Sequence, residues 1–99
     1  MKKNNKNLSE IIEYLEDIIE KRKNSNNKTY TTNLLKKGID RISQKIGEEA
    51  IEVVIAAKKK KKKDVIYESA DLLFHLFVLW TKLNIKSKEI AYELSKRKK

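Results

Sequence analysis

The sequence predicts an all-α protein, a four-helix bundle built as one domain over residues 1–99. Its 99 residues include no Pro and only two Gly, a composition that favours long helices joined by short connections. Apolar residues recur every three or four positions along most of the chain, which is the spacing of one helix face. A domain of this length buries only roughly 60–65% of the surface of its unfolded chain. We therefore expect a thin core that a homodimer, or a higher homo-oligomer, completes.

The first half of the chain predicts two helices. Ser9 is expected to cap the first helix. Its inward stripe comprises Ile11, Ile12, Leu15, Ile18 and Ile19. After a polar loop, Thr31 or Thr32 can cap a second helix, which breaks or bends near Gly38 and extends to about residue 59.

The second half predicts two more helices. Asp64 is expected to cap the third, which ends near Lys82. Ser87 opens the fourth, with Ile90 and Leu94 facing inward. The apolar stretch at the end of the third helix is too short to span a bilayer, so no membrane partner is expected.

The chain is strongly basic, with 24 Lys and Arg against 14 Asp and Glu and a formal charge of +10. Such an excess favours anionic partners such as nucleotides or nucleic acid. The excess is mostly Lys and is concentrated in low-complexity segments, among them residues 1–7, 58–63 and 97–99. We expect 1–7 and 97–99 to be disordered and 58–63 to be a solvated turn, so net charge alone indicates little about function.

The sequence contains no Cys, which excludes a disulfide framework and a thiolate zinc site. The start of the chain also lacks the charged region followed by an apolar region that marks a secretory signal. Together these features predict a cytoplasmic protein.

The second helix has two apolar sectors and one polar strip. At about 100° per residue, its core-facing sector comprises Ile46, Ala50, Val53, Val54 and Ala57. The polar strip holds Glu48, Glu49 and Glu52, with the small Ala56 among them. Ile51 and Ile55 lie on the far side. Arg41 and Lys45 precede the acids on the same strip, which therefore runs from cations to carboxylates.

The third helix carries Glu68 and Asp71 in the middle of a segment, residues 65–80, that is otherwise mostly apolar. A short connection makes the second and third helices antiparallel. Equal distances from the connection then bring Glu52 opposite Glu68, and Glu49 opposite Asp71. The sequence thus predicts a cluster of four or five carboxylates.

Clustered carboxylates cannot all remain ionised without a positive partner. The lysines at 58–63 are poor candidates, because they lie on flexible stems in or beside the turn. Oxygen ligands alone suit Mg²⁺, with Mn²⁺ as a possible substitute, and Mg²⁺ is commonly completed by substrate phosphates. Arg41 and Lys45 are expected to contact those phosphates, joined by Lys37 if the helix is continuous there.

Two further side chains are candidates for the site. His75 is expected to hydrogen-bond a metal-binding carboxylate rather than to bind the metal itself. Tyr30 is compatible with stacking on a base and equally with packing the start of its helix.

Two segments resemble the phosphoribosyl-ATP pyrophosphatase family, a branch of the all-α NTP pyrophosphatase superfamily. They read "KTYTTNLLKKGIDRISQKIGEEAIEVVIAAK" and "YESADLLFHLFVLW". The superfamily signature is E-E-x-x-E on one helix and E-x-x-D on the next. It is matched by Glu48, Glu49, Glu52, Glu68 and Asp71.

The resemblance implies the second step of histidine biosynthesis, the Mg²⁺-dependent hydrolysis of phosphoribosyl-ATP to phosphoribosyl-AMP and pyrophosphate. The expected metal ligands are Glu49, Glu52, Glu68 and Asp71. Glu48 is a further ligand or the base for the attacking water, and the expected catalytic residues are Glu48, Glu49 and Lys45. The expected substrate-binding residues are Arg41, Lys45, Lys37 and Tyr30.

Two alternatives remain at this point. The chain could be a housekeeping nucleoside triphosphate pyrophosphatase, although "TYT" and "QKIGEEA" argue against it. It could instead be a basic RNA-binding helical bundle. That interpretation leaves the facing acids unexplained, because they would repel phosphates, so no specific nucleic acid is expected.

Overall fold

The computed structural model describes residues 7–97, which form five helices and no strand. The helices are α1 (Leu8–Lys23), α2 (Tyr30–Lys37), α3 (Ile39–Lys58), α4 (Lys62–Lys82) and α5 (Ser87–Ser95). The predicted all-α class is confirmed. Five helices replace the predicted four because the second is divided into α2 and α3. The hairpin of α3 and α4 is the most extensively packed pair, and α1 and α2 pack against it.

Gly38 separates α2 from α3. Its φ of 86° and ψ of −170° lie in a region that only glycine adopts without strain. Its N–H donates to Leu34 O at 3.3 Å, and its carbonyl accepts from Ile42 N at 3.1 Å. Gly38 therefore ends one helix and begins the next, which confirms the predicted break.

Substituting the two glycines is expected to have opposite effects on stability. Gly38→Ala should lower the free energy of unfolding by about 1–3 kcal/mol, because alanine is strained at this backbone conformation. Gly47→Ala, inside α3 with no atom within 4 Å of the added Cβ, should raise it by about 0.5–1 kcal/mol. Urea denaturation of both variants checks this, and a Gly38→Ala protein as stable as wild type would contradict the account.

The first two helices begin earlier than predicted. Asn7, not Ser9, caps α1, because its side chain accepts from the backbone N–H three residues ahead at 2.9 Å. Thr29, not Thr31 or Thr32, caps α2, and its hydroxyl accepts from Thr32 N at 3.1 Å. In both cases a side chain just outside the helix satisfies a free N–H of the first turn.

The start of α4 also differs from the prediction, whereas that of α5 agrees with it. Because lysine is a good helix former, α4 already begins at Lys62, and Asp64 lies in its first turn rather than capping it. Ser87 opens α5 as predicted. Its N–H and hydroxyl donate to the Glu16 carboxylate at 2.6 and 2.9 Å. Leu94 is exposed, so the predicted inward face of α5 is wrong at that position.

The hydrophobic core lies between the hairpin and the two preceding helices. Its fully buried members are Ile19, Leu34, Leu35, Ile42, Phe77 and Val78. The inward face of α3 follows Ile42, Glu49 and Ala56, each seven residues apart. The predicted core sector is therefore wrong at Val54 and Ala57, which are exposed, and Ala56 lies inward instead of on a polar strip.

The terminal segments were predicted to be disordered. Residues 1–6 and 98–99 lie outside the described residues. Within the described range, Asn7 caps α1 and Arg97 donates to Glu93 at 3.0 Å.

Candidate active site

Three carboxylates meet on the facing sides of α3 and α4. Glu49, Glu68 and Asp71 each place an oxygen within 4.8 Å of the others. Glu49 comes from α3 and is only 8% exposed, while the other two come from α4 and are partly buried. We call these three residues the carboxylate cluster. The hairpin thus brings together three of the five acids that were predicted to cluster.

The electrostatics of the carboxylate cluster show a shortage of positive charge. A hydrogen bond with Asp71 raises the pKa of Glu49, and burial and the charge of Asp71 act in the same direction. Lys45 opposes that rise and does not cancel it. Three close oxygens with no sulfur or nitrogen among them match the ligand preference of Mg²⁺. The residues present therefore fit a hard divalent cation.

The two remaining acids of α3 lie outside the carboxylate cluster. Glu52 is exposed, and the structure does not bring it into the group of three. Glu48 is also exposed and accepts from Gln44 Nε2 at 3.1 Å. This hydrogen bond, together with the charge of Lys45, lowers the pKa of Glu48. Glu48 is thus held as an ionised carboxylate at the rim.

Lys45 lies between Glu48 and Glu49. Its Nζ is 3.5 Å from Glu48 Oε1 and 3.4 Å from Glu49 Oε1. Burial acts to lower the pKa of Lys45, but the hydrogen bond with Glu49 and the neighbouring negative charges outweigh it, so the pKa is raised. Lys45 is therefore a charged ammonium at the edge of the carboxylate cluster.

A cationic pocket opens beside the carboxylate cluster. It encloses about 160 Å³ and is lined by Tyr30, Asn33, Leu34, Lys37 and Arg41. Lys37 was expected to join Arg41 only in a continuous helix. The helix breaks at Gly38, and the two side chains nevertheless line one pocket from opposite sides of the break. A pocket with two cations suits phosphate groups.

Tyr30 and His75 connect the cationic pocket to the carboxylate cluster. The Tyr30 Oη lies 2.6 Å from His75 Nε2. His75 Nδ1 lies 2.8 Å from the carbonyl oxygen of Asp71 and 3.5 Å from its Oδ1. The predicted hydrogen bond of His75 to a carboxylate of the site is thus made to the main-chain carbonyl of Asp71 instead, with the carboxylate 3.5 Å away. Its bond with Tyr30 was not predicted, because nothing in the sequence relates two residues 45 positions apart.

The lysines at 58–63 are all exposed. Lys58 ends α3 and Lys62 begins α4, so that only residues 59–61 form the turn. Among residues 7–97, no helix has the length and apolar character needed to cross a bilayer.

Fold and site together define a class: an all-helical protein whose two facing helices present a carboxylate cluster beside a cationic pocket. Residues 12–98 match the family described as phosphoribosyl-ATP pyrophosphohydrolase. The phosphoribosyl-ATP pyrophosphatase of Leptospira biflexa serovar Patoc is 51% identical over 84 residues, which are 84% of this chain and 91% of that protein. That of Geotalea daltonii is 48% identical over 80 residues, covering 81% of this chain and 76% of that protein.

The histidine biosynthesis bifunctional protein HisIE of Buchnera aphidicola is also similar. It is 48% identical over 85 residues, which are 85% of this chain and 41% of that longer protein. The chain belongs to the phosphoribosyl-ATP pyrophosphohydrolase family. It is an enzyme, a hydrolase that acts on a phosphorus-containing anhydride.

Proposed function

We propose that the chain hydrolyses the α–β phosphoanhydride of phosphoribosyl-ATP in an Mg²⁺-dependent reaction. The products are phosphoribosyl-AMP and pyrophosphate, in the second step of L-histidine biosynthesis. The observation that carries the proposal is the carboxylate cluster lying beside a pocket with two cations. The family of the chain supports the same substrate. We place the reaction in the cytoplasm, in line with a chain that has no Cys.

Glu49, Glu68 and Asp71 would hold the metal in this proposal, and Glu52 would be the fourth ligand. Glu48 would be a further ligand if it does not act as the base. When bound, Mg²⁺ (or Mn²⁺ in its place) neutralises phosphate charge and polarises the phosphoryl oxygens.

The chain's own residues bind and orient the substrate. Lys37 and Arg41 bind phosphate oxygens, and Tyr30 forms a wall of the same pocket. Lys45, which lies 3.4 Å from Glu49, supplies a positive charge that stabilises the negative charge developing on the phosphates. Glu48, held ionised by its hydrogen bond from Gln44, orients the attacking water and accepts its proton, and Glu49 would hold the metal.

Product analysis tests the proposed reaction. Purified protein is mixed with phosphoribosyl-ATP and Mg²⁺, and the products are followed by phosphorus NMR with and without EDTA. We expect pyrophosphate and phosphoribosyl-AMP, with turnover lost on chelation. A parallel panel of nucleoside triphosphates covers the housekeeping alternative, and preferential turnover of one of these would contradict the proposed substrate.

The lysine turn is expected to contribute little to catalysis. Replacing residues 58–63 with neutral residues should change kcat/KM less than about threefold, because exposed charges at a distance are screened by salt. Steady-state kinetics at physiological ionic strength check this. A loss of tenfold or more would show that these lysines attract or hold the substrate.

We also propose that the chain works as a homodimer, or as a higher homo-oligomer built on the same contact. Apolar side chains on the outer face of the hairpin are exposed in the single chain: Ile51, Val54, Ile55, Ile66 and Leu73. They recur at helical spacing on two adjacent helices, and the core beneath them is small. A second copy offers the same apolar surface, so a symmetric contact covers both.

A further inference from the structure

His75 is buried within the site and has no role in the proposed hydrolysis. His75 is only 3% exposed, whereas Tyr30, its hydrogen-bond partner, is 54% exposed. Tyr30 is the first residue of α2 and His75 lies in the middle of α4. The pair therefore joins two helices at the point where the cationic pocket meets the carboxylate cluster.

The hydrogen-bond partners determine the tautomer of His75. Its Nδ1 faces the carbonyl oxygen of Asp71 at 2.8 Å, and a carbonyl can only accept, so Nδ1 carries the proton. In this tautomer Nε2 is the acceptor. The Tyr30 hydroxyl accordingly donates to Nε2 across 2.6 Å.

Ring packing holds the same arrangement. The rings of Tyr30 and His75 meet edge to face at 5.7 Å and 83°, and those of Phe74 and His75 at 5.6 Å and 88°. A phenol ring held by one hydrogen bond and one edge contact cannot rotate freely about its side-chain bonds. Tyr30 is half exposed, and these two contacts restrict its ring at the pocket rim.

We propose that His75 is a positioning residue that holds Tyr30 as a fixed wall of the cationic pocket, against which the planar base of the nucleotide stacks. This inference rests on the proposed function. Lys37 and Arg41 of the pocket suit phosphate oxygens, whereas the ring of Tyr30 offers an aromatic surface to a base. Because Tyr30 is already ordered before the substrate arrives, binding does not have to include the entropic cost of immobilising its side chain.

Four variants test the inference by kinetics. Tyr30→Phe keeps the ring and loses the hydrogen bond, so KM should rise about three- to tenfold with kcat within twofold of wild type. His75→Asn keeps a donor for the Asp71 carbonyl but cannot reach Tyr30, and should match Tyr30→Phe. His75→Gln places an amide oxygen near the position of Nε2 and should restore KM. The KM of the double variant Tyr30→Phe/His75→Asn should be no higher than that of either single variant.

Tyr92→Phe is the matched control, because it removes a hydroxyl from an exposed tyrosine of α5. It should leave KM unchanged. Equal KM values for wild type and Tyr30→Phe would overturn the inference while leaving the proposed reaction in place. If the wild type does not turn over phosphoribosyl-ATP, the proposed function fails instead. AMP affinity by calorimetry then replaces KM, and equal affinities of wild type and Tyr30→Phe overturn the inference.

Nitrogen NMR tests the pair without substrate. The chain has a single histidine, so its two imidazole nitrogen resonances are assigned without ambiguity. Wild type should show the proton on Nδ1, and the Nε2 resonance should shift in Tyr30→Phe and not in Tyr92→Phe. A proton on Nε2 in wild type, or no response to Tyr30→Phe, would overturn the inference.

Discussion

Asp71→Asn is expected to lower kcat on phosphoribosyl-ATP by at least about a thousandfold while the protein remains folded. The substitution removes one carboxylate of a cluster whose oxygens lie within 4.8 Å of one another. Losing a ligand removes several kcal/mol of charge stabilisation, and each 1.4 kcal/mol is about tenfold in rate. Glu52→Gln is expected to act in the same direction. Steady-state kinetics at saturating Mg²⁺ measure both.

Thermal denaturation of Asp71→Asn checks that this variant remains folded, and that of Glu49→Gln tests a related stability prediction. The pKa of Glu49 is raised in the folded protein, so its ionised form is less favourable there than in the unfolded chain. Neutral pH lies above the pKa of Glu49 in the unfolded chain, so the ionised carboxylate lowers the free energy of unfolding there. A neutral glutamine has no such effect. The metal-free variant should therefore be as stable as wild type or more stable.

Full activity in both Asp71→Asn and Glu52→Gln would remove the metal site from the account.

Ile66→Glu is expected to convert the protein from dimer to monomer. Ile66 is 61% exposed in the single chain and lies on the apolar outer face of the hairpin. A carboxylate at that position would be buried without a partner between two copies, at a cost of several kcal/mol. Light scattering coupled to gel filtration measures the mass in solution.

Leu94→Glu is the matched control for Ile66→Glu. Leu94 is 63% exposed and lies on α5, away from the outer face of the hairpin. This variant should keep the wild-type mass. A monomeric wild type, or equal dissociation of both variants, would contradict a contact through α3 and α4.

Much of the fold could be predicted from the sequence, because helical periodicity and the absence of Pro act locally. The acids of α3 and α4 were predictable for a related reason: the turn is short, so the two helices must lie side by side. The exact rotation of α3 was not predictable. The helix is rotated about its axis relative to the prediction, so that Ala56 is buried and Val54 is exposed. The apolar pattern of α3 alone fits both the predicted and the observed rotation.

The details of the site depend on contacts that no local pattern encodes. Glu52 shares its motif with Glu49, yet it lies outside the carboxylate cluster. The hydrogen bond between Tyr30 and His75 depends on how α2 packs against α4. That packing depends in turn on the break at Gly38, where α2 ends. The cap of α5 by Glu16 likewise joins residues 71 positions apart.

Binding of Mn²⁺ measured by electron paramagnetic resonance tests the central claim most directly, because the signal of the free ion falls as the protein takes it up. Wild-type protein without substrate should bind Mn²⁺ saturably and release it to excess Mg²⁺, and Asp71→Asn should bind much less. Equal Mn²⁺ binding by wild type and Asp71→Asn, or none by an active wild type, would contradict a metal site formed by Glu49, Glu68 and Asp71.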